Sequence, residues 1–231
     1  VKTNLQPKPE SLNDQAYNRL LMMISDGDIR PADFISHRRL AEKLGMSKLP
    51  VGMALERLEA EGLAKSVPRV GTRICGVDAA EIWGMVNWRI AMECQVARLA
   101  CERMNPGKAA RLMAAAALVD KLELQNKPRK IRHPADVDYH KLLAEAAECP
   151  RLEKELERMN IYRVKMAMCE SVRIAAKNSP IPPPDHRRLT KAIIAGPPGR
   201  AEQSMRDHLE RSRVLYGFLE WYRGQQKEPA H

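Results

Sequence analysis

Asp136 and His140 stand four residues apart, a spacing that puts both side chains on one face of a helix. The apolar arc of that helix reads as Ala135, Tyr139, Leu142, Leu143 and Ala146, with the two polar residues at its edge. His186 shares a helical stripe with Leu189, Thr190 and Ile193, and His208 shares one with Ala201, Ser204, Leu215 and Leu219. Polar rings on apolar stripes are costly to bury unless something satisfies them. A single histidine so placed is ordinarily a hydrogen-bonded core residue. Three of the chain's six, together with an aspartate, open a second reading, in which all four ligate one divalent metal. Imidazole and carboxylate donors suit zinc foremost, with nickel, manganese and iron as alternatives. His133 lies on nearly the same face as Asp136 and His140, but Pro134 makes it a helix cap instead. Arg89 is a further oddity, a cation on the stripe of Ile82, Val86, Val96 and Ala100. Either it reaches into a pocket to meet an anionic ligand, or it pairs with Glu93 one turn along.

The elements that must position these groups are helices. Beyond Gly76 the apolar periodicity predicts six, at about 78–104, 106–125, 134–148, 150–177, 184–195 and 200–223. Pro106, Pro134, Pro150 and Pro184 fall where a first helical turn tolerates proline, and 126–133 and 178–184 read as loops. Composition agrees: aromatics are scarce, while Ala, Leu, Met and Arg abound. At 231 residues the chain has room for two domains, and the junction falls near residue 76. The expected fold is mainly α: residues 1–76 form one domain, and 77–231 an all-helical antiparallel bundle. No apolar run approaches the roughly 20 residues that span a bilayer, and the polar start lacks a signal peptide's apolar region. Five cysteines without a CxxC spacing fit reduced thiols, so the expected location is the cytoplasm, away from membranes.

The first domain has a different pattern. Ser11 caps an amphipathic helix over 11–26, ended by Asp26-Gly-Asp-Ile-Arg-Pro31. Ser36 caps a short helix stopped by Gly45, and Ser47 caps the next, which runs to Gly62. Two extended runs, Leu63–Val67 and Thr72–Cys75, are joined by Pro68-Arg-Val-Gly71 as a hairpin. Helix, tight turn and second helix is the spacing that lays one helix across the DNA backbone and the next in the major groove. Ser47 and Lys48 then reach bases and phosphates, Arg38 and Arg39 reach phosphates, and a wing with Arg69 and Gly71 enters the minor groove. The formal charge of +10 suits a polyanion partner, but residues 1–76 carry only 12 Lys/Arg against 9 Asp/Glu. The motif therefore carries the DNA reading, and charge adds little to it. The basic run 127–132 is taken as a solvated loop.

On these residues the chain resembles a known family. Ile35-Ser-His-Arg-Arg-Leu-Ala-Glu-Lys-Leu-Gly-Met-Ser47, then Pro50-Val51, Ala54-Leu-Glu-Arg-Leu-Glu-Ala-Glu-Gly-Leu63 and the wing Pro68-Arg-Val-Gly71 look like the winged helix of GntR-type bacterial regulators. The helical remainder is similar to the effector domain of their FadR-like (FCD) branch. Asp136-Val-Asp-Tyr-His140, Asp185-His186-Arg-Arg-Leu and Met205-Arg-Asp-His208-Leu align with that branch's Asp/His metal motifs. One departure is notable. The family usually has Ser-Arg-Thr-Pro-Val-Arg where this chain has Ser47-Lys48-Leu49-Pro50-Val51-Gly52. Lysine lacks arginine's fork, and losing a base-reading arginine costs ~1–3 kcal/mol of discrimination.

The resemblance implies a homodimeric, effector-responsive regulator, a repressor by expectation, that binds operator DNA, a divalent metal and a small carboxylate met by Arg89. Two alternatives stay open: a metal-dependent hydrolase of small molecules, and a regulator whose metal is purely structural. Against the hydrolase, the chain has no HExxH glutamate, nucleophile motif or phosphate loop.

Overall fold

The computed structural model describes residues 11–125, 134–158, 160–169, 172, 185–211, 218–220, 222 and 224. The chain divides into two compact units, Val1–Val77 and Asp78–His231. The expected loops at 126–133 and 178–184, and with them His133 and Pro184, lie outside the described residues.

In the first unit, α1 (Leu12–Ser25) begins at Ser11, whose Oγ accepts the Asp14 N–H. Its buried face, Ala16, Tyr17, Leu20 and Ile24, packs on α3 (Lys48–Ala60), which buries Pro50, Val51, Ala54, Leu55 and Leu58. The Tyr17 hydroxyl donates to Glu61 at 2.5 Å, and the Arg57 guanidinium covers its ring at 3.7 Å. Between these helices, α2 (His37–Leu44) is capped by Ser36 and stopped at Gly45, whose φ of 62° is the left-handed conformation glycine adopts without strain.

The wing is a three-stranded antiparallel sheet in the order β1-β3-β2, not a simple hairpin. Strands β2 (Ala64–Val67) and β3 (Gly71–Ile74) are the expected pair, each within one residue of its predicted ends. The added strand β1 (Phe34–Ile35) is only two residues long, too short for a period-two pattern to register. It explains Gly71: at φ 134°, a Cβ there would lie 2.6 Å from the Ile35 carbonyl oxygen, so only glycine lets β1 close on β3. His37 ties helix to wing, its Nε2 lying 3.0 Å from the buried Thr72 hydroxyl.

The second unit is helical: α4 (Ala79–Glu102), α5 (Pro106–Gln125), α6 (Pro134–Ala146), α7 (Pro150–Arg158), α8 (Asn160–Met168), α9 (His186–Ala195) and α10 (Pro198–Glu210). Pro106, Pro134 and Pro150 each open a helix, as their missing N–H allows. The expected helix over 150–177 is described as α7 and α8. The expected start at 184 shifts to His186 behind Asp185, and the last helix begins at Pro198, two residues early. Helix α4 packs on α6, α9 and α10; α5 packs on α6 and α9; α9 packs on α10. These contacts surround one polar cluster in an otherwise apolar core. Among the described residues, no helix is long and apolar enough to cross a membrane.

Candidate metal centre and DNA-reading face

Asp136, His140, His186 and His208 come together. Each offers a ligand atom, and all four atoms lie within 4.8 Å of one another. Two come from α6, one from the first residue of α9 and one from the last turn of α10. Asp136 is fully inside, not at the edge of its helix: it is 3 % exposed, on the face carrying Tyr139, Leu143 and Ala147. Helix α6 is held to α9 by a short relay. Thr190 donates its hydroxyl hydrogen to the His186 carbonyl at 2.8 Å, so Tyr139 is the donor in its 2.9 Å contact with Thr190. Burial pushes the Tyr139 phenol well above its ordinary range.

Every histidine of the cluster meets a different carboxylate through Nδ1. His186 Nδ1 lies 3.1 Å from Asp120, His208 Nδ1 lies 2.6 Å from Asp185, and His140 Nδ1 abuts Glu93. Where Nδ1 is engaged in this way, Nε2 is the atom left to ligate. Two of the Nε2 atoms are placed against Asp136 Oδ1, His186 at 3.0 Å and His140 at 3.6 Å. Asp120 is itself fixed, accepting the backbone N–H groups of His186 and Arg187 and the Arg187 Nε. Neither Glu93 nor Asp185 was singled out as a support in the sequence, and Asp120 was missed altogether. The available signal was a carboxylate on the stripe of Leu112, Ala116 and Val119, where α5 buries nothing else polar.

The cluster is electrostatically divided. For His186 burial favours the neutral ring, but hydrogen bonds to Asp120 and Asp136 prevail and push its pKa up to about 9. For His208 burial wins, reinforced by the neighbouring His186 and His140 rings, and its pKa falls to about 4 despite Asp185. Burial raises Asp120 and Asp185, yet hydrogen bonds from His186 and Arg187, and from His208 and Arg188, leave both below the ordinary carboxylate value. The extra proton on His186 thus lies between two carboxylates, those of Asp120 and Asp136.

The residues fit a divalent metal. Both ring nitrogens of His140 are buried and make no hydrogen bond among the described residues, since Nδ1 meets Glu93 outside hydrogen-bond geometry. Metal–nitrogen bonds of ~2.1 Å place trans donors about 4.2 Å apart and tetrahedral donors about 3.4 Å apart, so a spread of 4.8 Å closes on an ion with side-chain movements of about 1 Å. Arg89, 4 % exposed, is paired through Nε with Glu93 at 2.5 Å, as the ligand-independent reading expected. It joins the cluster as Arg89–Glu93–His140.

In the first unit, Ser47 stands at the N-cap of α3 without a side-chain cap bond, and Lys48 follows it on the exposed surface. On α2, Arg39 is exposed, and Arg38 is exposed but paired with Glu42 at 3.0 Å. Arg69 sits at the tip of the wing with φ 65°. Gly71 has a packing role against Ile35 that the sequence did not suggest. Leu49 and Met53 are exposed large apolar residues on α3.

Comparison with known proteins agrees with this division. Residues 12–74 match the family of bacterial regulatory proteins called gntR, and 85–211 match the FCD domain. The chain is 27 % identical over 227 residues to the HTH-type transcriptional regulator Mce2R of Mycobacterium tuberculosis, covering 89 % of this chain and 92 % of that one. It is 23 % identical over 214 residues to the HTH-type transcriptional repressor RspR of Escherichia coli K12, covering 91 % and 90 %. Among solved structures, E. coli McbR/YncC shares the fold with a TM-score of 0.70 at 20 % identity, covering 91 % of this chain and 99 % of its own.

Proposed function

Because the chain belongs to the gntR family of bacterial transcriptional regulators and carries their FCD domain, we propose that it is a metal-dependent, effector-responsive repressor. Its relatives are regulators rather than enzymes, which sets the hydrolase alternative aside. The observation that supports metal binding is the convergence of Asp136, His140, His186 and His208, with a carboxylate behind each histidine. Zinc is the first candidate, with nickel, manganese and iron as alternatives. When bound, such a cation supplies open coordination positions for a small organic acid. Arg89 lies behind the cluster, where an entering carboxylate would compete with Glu93 for its guanidinium. Operator DNA is held by Ser47, Lys48, Arg38 and Arg39 at the helix-turn-helix and by Arg69 and Gly71 at the wing, and a homodimer reads two half-sites.

Metal analysis of the purified full chain tests this directly. The wild type is expected to retain about one divalent ion per chain, and His186→Ala and His208→Ala to lose it. Equal metal content in the wild type and both variants would remove the sensor reading.

A further inference from the structure

Resting on the DNA-binding reading above, we infer that Leu49 and Met53 form an apolar reader of thymine methyl groups, so that the operator is chosen by thymine and not by guanine at this point of the major groove. Helix α3 has two distinct faces. Pro50, Val51, Ala54, Leu55 and Leu58 are buried, and the opposite face carries Leu49, Gly52, Met53 and Glu56. Leu49 is 73 % exposed and Met53 45 %, and they are the only exposed large apolar side chains on α2 and α3. Four residues apart, they lie one above the other on the same face.

A solitary exposed leucine needs no explanation. This pair does, because it stands at the start of the second helix of a helix-turn-helix, the part that meets base edges. Ser47 and Lys48 precede it, and Arg39 and the wing-tip Arg69 are also exposed, so the surroundings suit a phosphate backbone. Leu49, Gly52, Met53 and Glu56 include no arginine or lysine to bond guanine O6 and N7, and the one cation on this side of the helix start is Lys48, which has no bidentate fork. The one apolar group that base pairs display in the major groove is the C5-methyl of thymine, so thymine is the complement of Leu49 and Met53. Gly52 between them makes close approach possible. Nothing lies within 4 Å of where its Cβ would stand, so no neighbour within the protein demands glycine there. The lack of a side chain makes sense toward a partner, letting the helix settle deep enough for its flanking residues to touch methyl groups.

Selection of duplexes from a randomised pool with the full-length protein tests the inference. Thymine is expected at one or more fixed positions in each half-site. Replacing those thymines in turn by deoxyuridine removes only the methyl and should weaken wild-type binding by about fourfold at a contacted position, the ratio that follows from burying one methyl group. Leu49→Ser, at an exposed position that leaves the core untouched, should bind the thymine and deoxyuridine duplexes equally. Met53→Ala should lessen the difference at the neighbouring position. Enriched sites without thymine, indifference of the wild type to deoxyuridine, or a penalty that persists in Leu49→Ser would each overturn the inference and leave DNA binding intact. No enrichment over random sequence would remove the DNA-binding reading and this inference together.

Discussion

His140, His186 and His208 share one pattern, a carboxylate against Nδ1, which orients the rings before any cation arrives. Asp120 is the best-anchored of the three supports, since it also holds the first backbone N–H groups of α9. Asp120→Asn should therefore weaken metal affinity by about 10- to 100-fold in competition with a chelating dye, with all four ligands still present; unchanged affinity would reduce Asp120 to a helix cap. The same residues set a pH dependence in the chelator-treated protein. His186 is raised from 6.5 to about 9, so its stabilising contribution is full below pH 6.5 and lost as pH rises toward 9. His208 is lowered from 6.5 to about 4 and must stay neutral to remain buried, so its contribution is lost as pH falls from 6.5 toward 4. Thermal stability of the metal-free chain is thus expected to peak near pH 6.5 and to fall on both sides, whereas saturating metal, which replaces the His186 proton, should flatten the alkaline limb. A metal-free melting curve that climbs steadily from pH 6.5 to 9 would contradict the His186 assignment. At this scale the four residues of the cluster were legible because a four-residue spacing and polar groups on apolar stripes survive in one dimension. Asp120 was not, because its partner His186 stands 66 residues away and a lone buried carboxylate has no spacing to announce it.

At the scale of elements, helix starts were the most legible feature, because Ser11, Ser36 and the helix-opening prolines act locally. Ser47 shows the limit of that logic: it occupies the N-cap position as expected, yet its side chain caps nothing, which leaves the hydroxyl for a partner. Strand β1 was illegible because its existence depends on β3 and on the missing side chain of Gly71, a long-range condition. Gly52 on α3 offers a direct test of how much the recognition helix gave up by lacking an arginine there. A Cβ at this position meets nothing within 4 Å, so Gly52→Arg should fold normally and gain up to about 1 kcal/mol from helix propensity. If the new side chain reaches a phosphate, the dependence of log affinity on log salt should steepen by about 1, read from binding isotherms at several salt concentrations. An unaltered salt slope and an unaltered site preference would indicate that this face of α3 does not meet DNA.

For the whole molecule, the question is whether the helical unit, Asp78–His231, controls the winged unit, Val1–Val77. Nothing about a metal cluster by itself requires control; an ion that binds both states of a regulator equally shifts neither. Control requires that an organic acid in the cluster favour one state of the regulator, and the resulting coupling must then be reciprocal. If the acid weakens operator binding by some factor, operator DNA must weaken acid binding by the same factor, ordinarily about 5- to 150-fold in coupled proteins. Calorimetric titration of the metal-treated protein with acid, in the presence and absence of saturating operator, should show that equality. His208→Ala removes one member of the cluster and leaves the sequence of the winged unit unchanged, so it should retain the acid-free operator affinity and lose the acid's effect on it. A variant that loses thermal stability while the acid still releases DNA would identify the metal as a structural knot. Equal acid affinities with and without operator would mean that the two units share a chain without sharing a signal.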